Sequence, residues 1–326
     1  MTSAFSKDAL ILDAAAETDR IVKAIRLAAR RFKRRGVIVA LSGGIDSSVV
    51  GALCVKALGP QRVFGLSLPE QESATATPGL SETLISHLGI DSATVNITPI
   101  LESFGCYATR VEAVREVIPA FTADWKFKIV LPPVTESDSY RVFSVVAQSP
   151  EGDEETHTLT LAAYLKILAA TNFKQRTRKA LEYFHADRLN YFVAGTPNLL
   201  EYDQGFFVKL GDGAADMKPI SHLYKTQVYQ LAEYLDVPKA ISSRPPTTDT
   251  YSLPQSQEEF YFSLPYDKMD LCLYALKHEI ASKAAAEAVG LTPEQVDRVY
   301  ADIKAKRAVA DYLHAAPQTV DDCLAG

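Results

Sequence analysis

The sequence predicts an α/β fold: a doubly wound parallel sheet with helices on both faces, an inserted hairpin and helices at the C-terminal end. Three observations carry this expectation. From Ile21 to Ile97, short apolar runs alternate with segments of helical period, as strands joined by crossover helices do. A glycine loop, Ser42-Gly43-Gly44-Ile45-Asp46-Ser47-Ser48, stands where one apolar run gives way to a helix. The rhythm then breaks from about Phe104 to Leu161 and resumes.

Taken in order, Ile21, Ala24, Ile25, Ala28, Ala29 and Phe32 recur at helical spacing, and Gly36 stops that helix. Val37 to Leu41 is the first strand, and Val49 to Leu58 continues as a helix. After the Gly59-Pro60 break, Arg62 to Leu68 is the second strand. Thr77-Pro78 opens a helix that ends at Leu88-Gly89, with cap and stop in their usual places. Ala93 to Ile97 is a third strand.

Within the break, Phe127 to Leu131 and Tyr140 to Gln148 read as two strands joined through Pro132-Pro133, and Pro150 to Glu155 as an acidic turn. Leu161 to about Asp187 is a long helix, Tyr191 to Ala194 a strand, and Tyr224 to Leu235 a helix ended before Pro238. Ser242 to Pro265, rich in Pro, Ser and Thr, reads as a loop. Helices follow over about Lys268 to Val289 and Pro293 to Tyr312, the latter opened by Thr292-Pro293-Glu294-Gln295.

A glycine loop between strand and helix turns backbone N–H groups toward one point before a helix N-terminus, where anions are favoured. Gly43 and Gly44 allow close approach of a phosphate, and Ser42, Ser47 and Ser48 bring hydroxyls. Asp46 repels phosphate and makes sense if Mg²⁺ sits between them. The longer loop closed by Lys-Ser or Lys-Thr is absent, which turns the expectation away from γ-phosphoryl transfer.

Composition narrows the classes further. With 326 residues, 47% hydrophobic and 23% charged, the chain has ample material for a large core. A net charge of −6 disfavours general nucleic-acid binding. The basic run Arg26, Arg30, Arg31, Lys33, Arg34, Arg35 reads either as a solvated helix end or as a tRNA-binding patch. The cysteines, Cys54, Cys106, Cys272 and Cys323, have neither metal-ligand nor Cys-X-X-Cys spacing and fit a reducing compartment. No apolar stretch has the length of a spanning helix, and Asp13 interrupts the early apolar run, so a cytoplasmic protein without membrane contact is expected.

The Ser-Gly-Gly-X-Asp-Ser pattern resembles the pyrophosphate loop of N-type ATP pyrophosphatases, which transfer AMP and have an adenine-nucleotide α-hydrolase-like fold. Three further segments follow: Asn172 to Arg178, with Asn172 and Arg176 on one helix face; Gly195-Thr196-Pro197-Asn198-Leu199-Leu200-Glu201 after a strand; and Gly205 to Asp216, followed by Lys225-Thr226-Gln227-Val228. Together they are similar to NAD synthetase over about residues 20 to 104 and 161 to 270. A single domain over 1–326 follows, with an insertion at about 105–160 and a helical C-terminal segment at about 268–326.

The resemblance implies roles by position. Asp46 and Glu201 match the Mg²⁺ carboxylates, and Asp46 and Lys225 are the expected catalytic residues. Ser42, Gly43, Gly44, Ile45, Asp46, Ser47, Ser48, Thr196, Lys225 and Thr247 would bind ATP, the co-substrate. Asn172, Arg176, Phe206, Lys209, Asp212 and Asp216 match the region that recognises the deamidated dinucleotide; Phe206 is open both to stacking on a pyridine ring and to core packing. A homodimer is implied.

The implied reaction adenylates nicotinic acid adenine dinucleotide and amidates it with ammonia, giving NAD, AMP and pyrophosphate. The helix leading to the loop begins within about twenty residues of Met1, which leaves no room for a glutamine-hydrolysing domain; free ammonia, or a separate glutaminase partner, is the expected nitrogen source. The family's late His-Lys-Arg or Tyr-Lys-Arg segment is not recognisable: Asp311 to Pro317 stands nearest. Gln255-Ser256-Gln257-Glu258 has Gln where the family usually shows Asp. These departures keep two alternatives open: the same ligase chemistry on another carboxylic acid, and a catalytically silent nucleotide-binding sensor.

Overall fold

A computed structural model describes residues 5–74, 77–131, 142–244 and 250–324. The chain runs α1 (Ala14–Arg31), β1 (Val37–Ala40), α2 (Ile45–Leu58), β2 (Val63–Ser67), α3 (Thr77–Leu88), β3 (Asp91–Thr94), α4 (Thr98–Ser103) and α5 (Cys106–Arg115). Then come β4 (Lys126–Val130), β5 (Ser144–Gln148), β6 (Glu154–Thr158), α6 (Leu161–Leu189), β7 (Phe192–Ala194) and α7 (Leu199–Gln204). The remainder is helical: α8 (Lys225–Tyr234), α9 (Lys239–Ser242), α10 (Tyr266–Lys277), α11 (Ser282–Val289), α12 (Pro293–His314) and α13 (Val320–Leu324).

The central sheet has the order β3-β2-β1-β7 with every pair parallel. Successive strand residues face opposite sides, and each side has its own core. Val37, Val39, Phe192 and Ala194 pack with Ile25 of α1, Val50 of α2 and Leu231 of α8. Ile38, Leu66 and Val193 pack with Leu101 of α4, Cys106 of α5, and Ala170 and Ala186 of α6. Helices therefore cover both faces, and β1 and β7 read as unbroken apolar runs because both their faces are buried.

Several local expectations shift. The third strand is Asp91–Thr94 rather than Ala93 to Ile97, since its ladder pairs Phe64↔Asp91 through Ser67↔Thr94. It is an edge strand with mostly exposed side chains, so hydrophobicity marks its position poorly. The break in rhythm begins with two helices, α4 and α5, neither opened by a side-chain cap. The inserted hairpin is a three-stranded antiparallel sheet, β4-β5-β6. Its third strand starts at Glu154, inside the expected acidic turn, and carries Glu and Thr on a largely solvated edge, so it lacks the apolar alternation that marks strands. Tyr140, Pro132 and Pro133 lie outside the described residues.

The inner face of that sheet, Phe127, Ile129, Val145 and Ala147, packs on Ala113 and Val114 of α5 and Ala163 and Ile167 of α6. The span from Lys268 to Val289 is broken into α10 and α11, and within Ser242 to Pro265 a wide helical turn covers Glu258–Phe262. The C-terminal ends of β1, β2 and β7 open into one cavity, as the crevice rule for parallel sheets requires.

Candidate active site

Gly43 has φ +73°, a left-handed turn that bends the chain from β1 into α2. A Cβ at Gly43 would stand 2.7 Å from Leu80 Cβ, so the loop tolerates no side chain there. The N-cap of α2 is Gly44, which supplies no capping side chain, so the first N–H groups of that helix are left for an external acceptor. The hydroxyls divide. Ser42 Oγ lies 3.2 Å from Ser47 Oγ at the loop mouth. Ser47 and Ser48 Oγ donate to the Gly44 carbonyl at 3.0 and 2.8 Å, which rigidifies the turn.

The second half of the site is fixed by a capping box. Asn198 N-caps α7: its side chain accepts from the Glu201 N–H at 3.2 Å, and Glu201 Oε2 accepts from the Asn198 N–H at 3.1 Å. Fully buried Asn198 then donates Nδ2 to Asp46 Oδ1 at 3.0 Å. The other Asp46 oxygen is ion-paired with the buried Lys225 Nζ. Lys225 opens α8, whose free N–H groups at Lys225 and Thr226 are capped by Asp270 of α10 at 3.2 and 2.7 Å. Burial pushes the Asp270 carboxyl up to about 6.

Burial, followed by the charge of Asp46, pushes Glu201 up to about 8, with Lys225 opposing. The pair is thus short of positive charge. Among the described residues no group of three or more His, Cys, Asp or Glu is gathered for a metal; the two carboxylates that Asn198 links, Asp46 and Glu201, are the oxygen donors that could hold one. That set fits Mg²⁺, which takes one or two carboxylates and completes its shell with water and phosphate oxygens.

The cavity has a volume of about 450 Å³. It is lined by Ser42 to Ser47, Thr196 and Glu201, together with Asn172, Phe206 and Asp212 of the expected acceptor region. Phe206 also packs on Phe260, Tyr261 and Phe262, so both of its readings have a physical basis. Ser48 and Lys225 stand behind this surface, Lys225 acting on it through Asp46.

Three residues lie elsewhere. Arg176 Nε donates to the Lys209 carbonyl at 3.2 Å. Lys209 Nζ donates to the Tyr312 carbonyl at 2.7 Å and sits over the Tyr312 ring. Asp216 accepts from the Val193 N–H at 2.8 Å, at a separate small depression. Thr247 lies outside the described residues. The Asp311 to Pro317 stretch packs on the Gly205–Asp216 segment: His314 Nε2 bonds the Tyr202 carbonyl at 2.8 Å and its ring meets Phe207.

Sequence reasoning missed several lining groups. Lys179 and Glu182, both buried and 2.6 Å apart, carry an i,i+3 signal that a helical reading can find. Burial raises the Glu182 carboxyl and also that of neighbouring Asp212. Tyr251, Phe260 and Tyr261, with Gln257 of the segment noted for its departure from the family pattern, form a wall from a stretch read as loop, where no periodicity marks the inward side.

The chain is similar to known proteins over most of its length. The family model described as NAD synthase matches residues 17–118 and 144–309. The chain is 56% identical over 309 residues to the NH(3)-dependent NAD(+) synthetase of Mesorhizobium japonicum, covering 94% of this chain and 97% of that one. The fold recurs in the NMN synthetase of Francisella tularensis, at TM-score 0.64 and 22% identity, covering 95% of this chain and 99% of that one. It recurs in the NH3-dependent NAD synthetase of Campylobacter jejuni, at TM-score 0.62 and 23% identity, covering 95% and 100%.

Proposed function

The chain belongs to the NAD synthase family, and from that premise we propose that it is an ATP-dependent amide ligase that converts nicotinic acid adenine dinucleotide and ammonia to NAD. The observation that carries the reading is the convergence of Asp46, Asn198, Glu201 and Lys225 from three stretches of sequence at the mouth of the glycine loop.

The acceptor carboxylate oxygen attacks the α-phosphorus of ATP, the bond to the β-phosphate oxygen breaks, and pyrophosphate leaves. Ammonia then attacks the acyl carbon, AMP leaves with the bonding pair, and the nitrogen loses a proton. The N–H groups of Ile45 to Ser47 and the Ser42 hydroxyl hold the pyrophosphate oxygens. Lys225 balances the charge of Asp46 from behind the cavity surface, and Asn198 orients Asp46 toward the loop. Mg²⁺ held by Asp46 and Glu201 would neutralise phosphate charge when bound. Such chemistry rests on positioning and charge, so no nucleophilic Ser or Cys is required. Thr196 and Asn172 contact the nucleotides from the β7 and α6 sides of the cavity, with Asp212 on the acceptor side.

The working unit is a homodimer. Leu161, Leu165 and Phe184 stand exposed along α6, and exposed Phe104 stacks on Phe173 of that helix at 4.0 Å. This apolar stripe suits a second copy. The nitrogen source is ammonia, free or delivered by a separate glutaminase. A cytoplasmic setting fits three buried free thiols and the lack, among the described residues, of any helix long and apolar enough to cross a membrane.

Incubation with ATP, Mg²⁺, ammonium and nicotinic acid adenine dinucleotide tests the reading: AMP and NAD form in equal amounts. Asp46→Asn lowers turnover about 100-fold or more. ATP binding with no AMP formed on this acid overturns the assignment.

A further inference from the structure

Thr250, Tyr251, Gln257, Phe260 and Tyr261 form one wall of the cavity, yet this stretch has little regular structure of its own. It is held by the inserted sheet. The Phe127 N–H donates to Ser252 Oγ at 2.9 Å, and the Phe127 carbonyl accepts from the Leu253 N–H at 3.1 Å. Gln255 Nε2 donates to the Ile129 carbonyl at 2.7 Å, and Lys128 pairs with Glu259 at 2.6 Å. The segment therefore runs along the free edge of β4. That strand lies in residues 119–143, the stretch between the two parts of the family match.

The neighbouring part of the lining is the loop after β2, where Pro69 and Ser73 line the cavity. Arg110 of α5, only 1% exposed, stands between the two. Its Nη1 is ion-paired with Glu72 of that loop. Its guanidinium carbon is 4.7 Å from the Phe127 ring centroid and 5.5 Å from that of Tyr251. Among the described residues Nε and Nη2 have no hydrogen-bond acceptor, and the two rings meet that side of the cation. Lys174 of α6 adds a second tie: its Nζ lies 2.9 Å from Glu70, 2.5 Å from Glu72 and 3.4 Å from the Thr250 carbonyl.

We propose that Arg110 is a positioning residue: lying over both the Phe127 and Tyr251 rings and paired to Glu72, it ties the Thr250–Tyr261 wall to the loop after β2 at the spacing that ATP requires, and the inserted sheet exists to anchor that wall. The inference rests on the reading of the cavity as an ATP site. Lysine cannot replace the arginine, because an ammonium pairs with Glu72 but offers no planar face to lay over the two rings.

The test compares wild type with Arg110→Met, Arg110→Lys and Phe127→Leu in the amidation assay, alongside calorimetric ATP binding without acceptor and thermal melting. Arg110→Met and Phe127→Leu each raise the ATP KM and Kd about tenfold while kcat stays within about threefold. Arg110→Lys regains most of the wild-type melting temperature without regaining ATP affinity. A role in folding alone would lower melting temperature and leave KM and Kd unchanged. ATP KM and Kd within about twofold of wild type in the folded variants overturn the proposal. If Arg110→Met does not fold, Phe127→Leu, which keeps every ionic partner, decides the matter. Wild type that binds no ATP overturns the reading of the cavity instead, so the two failures are told apart.

Discussion

Asn198 reaches Asp46 across 152 positions of sequence, Nδ2 to Oδ1 at 3.0 Å, while its own backbone N–H is held by Glu201 at 3.1 Å. One buried side chain thus sets the spacing and orientation of both carboxylates. It does so at no cost in secondary structure, because the same residue is the N-cap of α7.

That link predicts the outcome of Asn198→Asp. The aspartate still caps α7, since it accepts from the Glu201 N–H, but it replaces a donor to Asp46 with a third negative charge. The Mg²⁺ concentration for half-maximal activity rises about 10- to 100-fold, and the melting temperature falls because the new charge is buried beside two carboxylates. Unchanged metal dependence in the folded variant would sink the orienting role.

Gly43→Ala acts on the loop. The left-handed φ of +73° and the 2.7 Å approach of Leu80 Cβ leave no room for a methyl group. The strain is about 1–3 kcal/mol, and the ATP KM rises because the α2 N–H groups are displaced. Gly59→Ala is the matched control: φ is +82° there, but nothing lies within 4 Å of the added carbon. It shifts melting temperature and leaves ATP kinetics alone. Equal ATP kinetics in the two variants would contradict this.

Acid stability depends on Glu70. Burial opposes its charged form, but the Lys174 cation and the hydrogen bonds from Tyr107 and Lys174 outweigh burial and hold the carboxyl below its ordinary 4.5. Lys174 is pulled below its own ordinary value by burial and by Arg110, so the favourable pairing is read from the carboxylate side. A depressed carboxyl means that the unfolded chain binds more protons just below 4.5. The stabilisation is therefore complete above that value and lost as pH falls through it. Melting temperature falls less steeply below about pH 4.5 in Glu70→Gln than in wild type, starting from a lower value at about pH 7. A slope as steep in the variant refutes the assignment.

The proposed homodimer uses the exposed stripe along α6 and the neighbouring Phe104. Phe104→Glu combined with Leu165→Glu places charge on an apolar surface whose residues are 65% and 50% exposed in the single chain. Light scattering shows wild type at twice the chain mass and the variant at the chain mass, with the melting temperature of an isolated chain little changed. A dimer that survives both charges places the interface elsewhere.

Much of the framework is legible in the order of residues. Val37 to Leu41, the glycine loop and the helix after it need only local signals: an apolar run, a residue-free turn at Gly43, a periodic segment. Asn198 and Glu201 carry a capping-box spacing that fixes their relation before any tertiary contact forms. The inserted strand Glu154–Thr158 was illegible because its side chains are polar on both faces and its pairing with β5 is a backbone matter. The Tyr251–Tyr261 wall was illegible because its shape is imposed by the edge of β4, more than a hundred residues away.

By itself the sequence determined β1, β2, β7, most of the helices and the glycine turn, since each rests on periodicity, capping or a local turn; the pairing of Asp46 with Glu201 came from the family resemblance. The tertiary structure alone decided that Arg176, Lys209 and Asp216 stand outside the cavity lining, that Lys225 neutralises Asp46, and that Arg110 lies over two aromatic rings. Those are outcomes of packing: which groups meet across the core depends on volume and charge compensation among residues far apart in the chain, and no local pattern encodes that.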